Sequence, residues 1–409
     1  MIWRSILTWF AVLGILCLCF APKIQAADIT LVPELDVRTE WNDNVDMGRS
    51  DERSDIIATL TPSVSVQAET ERFSLNSRVG LGLMRYAHEE ERNTEYLRLS
   101  ANARHWAYER LQFSANAGIT EDEALQTELE ETGLIVRGVD RRRYNGGAGC
   151  LYDLTPYSTL GLDGSRQRTE YSGEGYVDST QDSLSLTYRR TLSDQVNGIL
   201  FQPYYSRYDS ERSQTDNYGL SAGWTRSWTQ TLTSQAVLGV RHTRTQYSVL
   251  QQNAVFDPTL LPAFPYRFTV DELKLEESNW GGVADISMSM KGESHSLSAG
   301  YKRDLGFSAE GQAIVEDRLY WSVNRAFSER LSAGFSTALS HSESEGERSR
   351  TDDWYFQMTP SLSWRITRDH VLTAGYGYSR SWDEASTDDR SARRHRIWAG
   401  VTMRFPRKW

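Results

Sequence analysis

The sequence predicts an all-β protein: a transmembrane, antiparallel, up-and-down β-barrel of about eighteen strands, with sixteen the next choice. Three observations carry that prediction. Apolar and polar residues alternate with period two in one segment after another, as side chains do along a strand. Very short links and long polar links take turns along the chain. A leader-like N-terminus precedes the first strand candidate almost directly.

The leader comes first. Arg4 is followed by an apolar run from Trp9 to Ala21 and a small-residue exit at Ala26–Ala27, the pattern of a secretory signal peptide over residues 1–26. The barrel domain is then expected over 27–409. Cys17 and Cys19 leave with the leader, so Cys150 is left without a disulfide partner and a zinc cluster is excluded.

The first strand is expected near 32–41 (VPELDVRTEW). In 97–106, Leu97, Leu99, Ala101 and Ala103 oppose Arg98, Ser100, Asn102 and Arg104. In 183–190, Leu184, Leu186 and Tyr188 oppose Ser183, Ser185, Thr187 and Arg189. Residues 330–340 and 353–366 repeat the alternation, the latter with Trp354, Phe356, Met358, Leu362, Trp364 and Ile366 on one face and Arg365 on the other. The last strand, 395–405, sets Ile397, Ala399, Val401, Met403 and Phe405 against Arg396, Thr402 and Arg404.

Short links fall around 68–72, 106–110, 153–157, 190–195, 227–231, 291–295, 327–330 and 366–370. Longer polar stretches fall at 42–55, 87–94, 120–142, 169–180, 209–215, 248–279, 304–317, 344–352 and 382–394. This layout puts both chain ends on the short-turn side, which in a bacterial outer membrane is the periplasm. Closure is compulsory in lipid, because an open sheet edge would leave backbone groups unpaired. Strand 32–41 should therefore meet 395–405.

Composition agrees. The chain has 20 Tyr and 13 Trp but only 10 Pro, a balance that favours strands. Its mean hydropathy of −0.55 is compatible with a barrel, where only alternate residues meet lipid. Without Arg4 and Lys23, 43 basic residues face 55 acidic ones, which argues against nucleic acid as a partner. Outer-membrane lipid and lipopolysaccharide are the expected surroundings.

On the inferred inner face, Arg98, Arg104, Arg189, Arg365, Arg396 and Arg404 are pore-lining candidates for charged or hydroxyl-rich solutes. The longest loop, 249–279, is the only apolar and proline-rich one. Phe256, Phe264, Tyr266 and Phe268 are its constriction candidates. Loop 120–142 starts acidic and ends basic and suits a short helix without specific chemistry. Catalytic constellations are weak: seven histidines are scattered, and His341 beside Ser340, Ser342 and Glu343 is the least poor candidate. There is no P-loop, CxxC or HExxH, so no metal or cofactor is expected and the chain is read as not an enzyme.

Residues 31–69 carry Trp41-x-Asp43-Asn44, a polar loop, then Thr61-Pro62-Ser63, and a related Thr-Pro-Ser-Leu recurs at 359–362. In these features the chain resembles the bacterial outer-membrane β-barrel porin type 2 group, which includes barrels associated with exopolysaccharide or PEP-CTERM sorting systems. The resemblance implies an outer-membrane location and a link to exopolysaccharide synthesis or export, with polysaccharide export proteins as partners. It carries over no catalytic residue. By likeness to outer-membrane proteins generally, the last strand is also read by the barrel assembly machinery, with Phe405 as the aromatic signal. The expected function is a porin-like channel. A non-conducting structural or interaction barrel is the alternative, and an outer-membrane hydrolase a distant one.

Overall fold

The computed structural model describes residues 28–136, 138–173, 175–256, 266–345, 351–384 and 391–408. The expected leader lies outside the described residues. In order, the strands are β1 (Asp28–Asn42), β2 (Asp55–Glu69), β3 (Phe73–Tyr86), β4 (Thr94–Tyr108), β5 (Leu111–Glu123), β6 (Asp140–Thr155), β7 (Ser158–Tyr171), β8 (Ser179–Thr191) and β9 (Asn197–Ser210). The second half runs β10 (Ser213–Ser227), β11 (Leu232–Phe256), β12 (Tyr266–Lys291), β13 (His295–Phe307), β14 (Ala313–Ala326), β15 (Leu331–Ser344), β16 (Asp352–Arg365), β17 (His370–Asp383) and β18 (Ser391–Arg404). A two-residue β19 (Arg407–Lys408) follows; among the described residues, one α-helix, α1 (Ala124–Glu131), lies between β5 and β6, and a 3-10 turn, Glu90–Arg92, between β3 and β4.

Each of the eighteen long strands pairs antiparallel with its sequence neighbours, and β1 pairs with β18 from Glu34↔Arg404 to Asn42↔Arg396. The cylinder is closed, as lipid requires. Pro406 has no amide hydrogen, so β18 stops before it, yet the chain resumes pairing: β19 meets Thr30 and Leu31 of β1. The Trp41-x-Asp43-Asn44 motif fastens this seam. The His395 amide donates to Asp43 Oδ1 at 2.6 Å, and Asn44 Nδ2 donates to the Arg393 carbonyl at 3.0 Å.

One end of the cylinder holds eight short turns and the first and last described residues; the other holds nine connections. Three of those nine differ from expectation. The β9–β10 link is only residues 211–212, and the β13–β14 link is 308–312. The segment 249–279, expected as a loop, is paired on both sides of residues 257–265: β11 and β12 form one ladder from Leu232↔Met290 to Phe256↔Tyr266. Beyond Tyr247, β11 has no partner on β10, so this ladder continues past the neighbouring strand as a free-standing hairpin.

The two faces meet different solvents. Outward-pointing Leu81, Leu184, Leu238, Leu319 and Ile397 are 51–58% exposed, on strands spread around the circumference. In water each such side chain would forfeit roughly 1.5–3 kcal/mol of burial, repeated on nearly every strand. A hydrocarbon surrounding removes that cost. Aromatic residues mark both borders: Tyr108, Tyr157, Trp228, Phe327 and Trp364 at the turn end, and a stack of His341, Trp354 and Trp382 across β15–β17 at the loop end. Such girdles belong to membrane barrels. No described helix is long and apolar enough to cross a membrane, which does not bear on strands.

Candidate functional site

The largest apolar cluster of buried residues lies around α1, which folds inward from the loop end and crosses to the far wall. ALQTELEE is built from strong helix formers, and Leu125 and Leu129, four residues apart, share one face. That face is seated in a small apolar cluster with Met47, Tyr355 and Ala392, all at most 2% exposed. Ile135 and Val136 pack against it. The helix ends where Thr132 and Gly133 both donate backbone N–H to the Glu128 carbonyl, at 2.7 and 3.1 Å. Gly133 has φ +73, the left-handed conformation that favours glycine at a helix C-terminus.

Polar bonds hold the two sides of this bridge. On the near wall, Arg141 of β6 donates twice to Asp122, at 3.0 Å each, and once to Glu128, at 3.3 Å. Arg143 pairs with Glu131, and Tyr171 of β7 donates to Glu128 at 2.8 Å. On the far wall, Arg394 and Arg396 of β18 both donate to Gln126 Oε1, at 2.7 and 3.2 Å. Arg318 of β14 donates to the Glu130 carbonyl and Ser342 of β15 to the Thr132 carbonyl. The bridge therefore spans from β6–β7 to β14–β18.

Two carboxylates of α1 respond differently to this setting. Burial pushes Glu128 above the usual carboxylate range, with Tyr171 and Arg141 only partly offsetting it. Burial acts the same way on Glu131, but the Arg143 and Arg141 guanidiniums outweigh it and hold Glu131 below that range.

A second inward segment narrows the loop end. The β13–β14 link reaches the β7–β8 link and the tops of β9 and β10: Phe307 stacks on Tyr208 at 3.8 Å, Val177 N–H donates to the Ala309 carbonyl at 3.0 Å, and Ser213 donates to the Gly311 carbonyl at 2.7 Å. Arg241 of β11 meets Glu345, beyond β15, at 2.9 Å.

The register puts all six arginine candidates on the inner face. Arg104, Arg189, Arg365 and Arg404 lie at or near the turn-end limits of β4, β8, β16 and β18. Arg404 bonds Glu34 at 2.7 Å, whereas Arg104, Arg189 and Arg365 are exposed and form no ion pair among the described residues. Arg98 stands mid-lumen over the Tyr96 ring at 5.1 Å, and Arg396 belongs to the α1 seat.

The constriction candidates fare differently. Phe256, Tyr266 and Phe268 lie in the β11–β12 hairpin, their side chains outside the described set, and Phe264 lies outside the described residues. The inward segment that crosses the lumen is α1. Its signal was in the sequence as Leu125 and Leu129 amid helix formers, with Arg141 and Arg143 downstream to neutralise its acids. His341 points outward, bonded to Asp352 at 2.9 Å and stacked on Trp354, while Ser340 and Ser342 point inward, so these residues do not assemble a triad.

A family model described as "Putative beta-barrel porin 2" matches residues 24–193. No curated protein matches the chain. Among solved structures, it is similar to OccK9 (OpdG) of Pseudomonas aeruginosa, with TM-score 0.46 and 12% identity over 94% of this chain and 99% of that one. OpdK of the same species, solved with vanillate, gives TM-score 0.47 and 10% identity over 94% and 100%. The outer membrane channel DcaP of Acinetobacter baumannii gives 0.45 and 11% over 93% and 97%. The chain is an eighteen-stranded, closed, antiparallel β-barrel.

Proposed function

We propose that this chain is an outer-membrane channel whose flow is limited by α1 and whose turn-end mouth selects anionic solutes, in the service of exopolysaccharide synthesis or export. The inward bridge of α1 is the observation that carries the reading: a packed structural barrel has no need of a helix pinned to opposite walls by side-chain bonds. Arg104, Arg189 and Arg365, inward and without ion pairs among the described residues, supply the charge preference. Catalysis is not part of the proposal. The turn end and both chain ends face the periplasm, lipopolysaccharide surrounds the loop-end border, and Phe405, half exposed with its amide bonded to the Pro33 carbonyl at 2.9 Å, is the residue read by the assembly machinery. The exopolysaccharide link rests on the Trp41–Asn44 and Thr61–Ser63 motifs.

Contacts between the β13–β14 link and β9–β10 favour a second reading, a barrel closed at rest. Planar-bilayer recordings of the purified chain, with and without residues 124–131, separate the two. A conducting wild type with anion-biased reversal potential supports the channel; conductance only after the deletion supports the closed barrel. Silence in both would sink the channel reading.

A further inference from the structure

Four inner-face aromatic rings are laid on glycines of an adjacent strand. Tyr96 of β4 covers Gly82 of β3, Tyr204 of β9 covers Gly219 of β10, Tyr320 of β14 covers Gly300 of β13, and Trp398 of β18 covers Gly375 of β17; a methyl group on any of these glycines would collide with the ring. All four residues remain partly exposed; no guanidinium lies over Tyr204 or Tyr320 among the described residues, whereas Arg98 lies over the Tyr96 ring and Arg38 over that of Trp398.

Their heights agree. In a tilted barrel, a row of paired residues climbs by about one residue per strand, here toward the loop end. One row runs Leu200, Gly223, Val237, Asp285, Lys302, Arg318. Tyr204 stands above its start and Tyr320 below its end, which brings the two level. The row from Tyr320 through Ala338, Gln357 and Ser379 reaches Arg394, and Trp398 lies four residues turnward of it after four strands. The row from Arg404 through Glu34, Ser63 and Gly80 to Arg98 places Tyr96 beside Trp398 in height. All four rings fall within about two residues, roughly 5 Å along the axis. They come from strands four or five apart, just turnward of α1. Two of them adjoin the Thr-Pro-Ser segments, since Ser63 pairs with Gly80 and Ser361 with Gly375.

We propose that Tyr96, Tyr204, Tyr320 and Trp398 form a saccharide-binding level in the lumen, stacking the pyranose rings of an acidic oligosaccharide. This rests on the channel reading only for how the sugar arrives. Flat aromatic faces suit the apolar C–H faces of pyranoses, and hydroxyl-lined walls supply the edge contacts. The acidic class follows from Arg98, which lies over the Tyr96 ring at 5.1 Å from its centroid and forms no ion pair among the described residues; Arg38, over Trp398 at 4.5 Å, is already paired with Glu40. A sugar carboxylate gains a charged hydrogen bond there; a neutral sugar does not.

The test is equilibrium binding of a six-residue oligouronate to the detergent-solubilised full-length barrel, with maltohexaose as neutral comparator. Wild type should bind the oligouronate more tightly. Tyr204→Ala combined with Tyr320→Ala should weaken it about tenfold, while the corresponding Phe variants retain it. Heat-modifiable gel migration reports whether each variant is folded. Should the alanine pair fail to fold, Trp398→Leu takes its place with the same expected loss. Absent wild-type binding, or equal binding by folded alanine variants, overturns the proposal. Conductance without saccharide binding would end this inference and leave the channel; binding without conductance would do the reverse.

Discussion

At the scale of single residues, Gly133 and Leu129 hold the inward bridge. A side chain at Gly133 meets two costs: φ +73 is a strained angle for any β-branched residue, and an added Cβ would sit 3.1 Å from Tyr355 Cβ. Gly133→Val should loosen α1 by at least about 1–2 kcal/mol. Leu129 is fully buried, and Leu129→Ala should cost a further ~2–5 kcal/mol of local seating. Neither touches the barrel ladders, so both variants should stay folded and heat-modifiable while residues 124–139 become open to limited proteolysis. Unchanged protease resistance in both would show that α1 is held by its ion pairs alone. His341 makes the complementary point: its neighbours in sequence suggested chemistry, but alternation puts it and the two serines on opposite faces.

At the scale of elements, α1 should respond to pH in two stages. Glu128 faces Arg141 and Tyr171, with Asp122, Glu131 and Arg143 beside it. Its raised value means that the docked helix favours the neutral acid, so seating improves as pH falls through that raised value and weakens as pH rises through it. Glu131 runs the other way: its ionised form is stabilised by Arg143 and Arg141, and that contribution is lost as pH falls through its depressed value. Proteolysis of 124–139 should therefore be slowest in mildly acid solution and faster on either side. In Glu128→Gln the alkaline limb should flatten; a persistent alkaline limb would refute Glu128 as its source. The strands themselves were legible because period-two alternation is forced by having lipid on one face and water on the other. The bridge is less legible, because apolar content points to an inward loop only where it does not continue a strand. By apolar content 249–279 outranks 124–131, yet its apolar residues Phe256, Tyr266 and Phe268 belong to the β11–β12 ladder. The polar face of α1 is matched by arginines that sequence distance hides, Arg394 and Arg396 above all. The β9–β10 turn reads longer in sequence than it is for a similar reason, since polar residues at a rim can alternate and still be strand.

At the scale of the whole molecule, the proposed channel places solute selection at the turn-end mouth, and closure of the barrel rests on the seam. Replacing Arg104, Arg189 and Arg365 together by Glu reverses three inward charges at one mouth and should turn anion preference into cation preference in reversal-potential measurements, with less effect at high salt. An unchanged potential would move the selectivity to the α1 level. The seam makes a separate prediction. β1 and β18 share nine paired positions, from Glu34↔Arg404 to Asn42↔Arg396, whereas β19 adds two beyond Pro406. Removing residues 406–409 leaves all nine, together with the Phe405 amide bond to Pro33 and the T-shaped contact of its ring with His370. The truncated chain should therefore still fold and shift on heating. Phe405→Ala keeps the ladder but removes the outward aromatic at the turn-end border, and should lower the folded fraction recovered from membranes. Because Trp409 is the other terminal aromatic, the opposite pattern, loss on truncation and tolerance of Phe405→Ala, would transfer the assembly role to it.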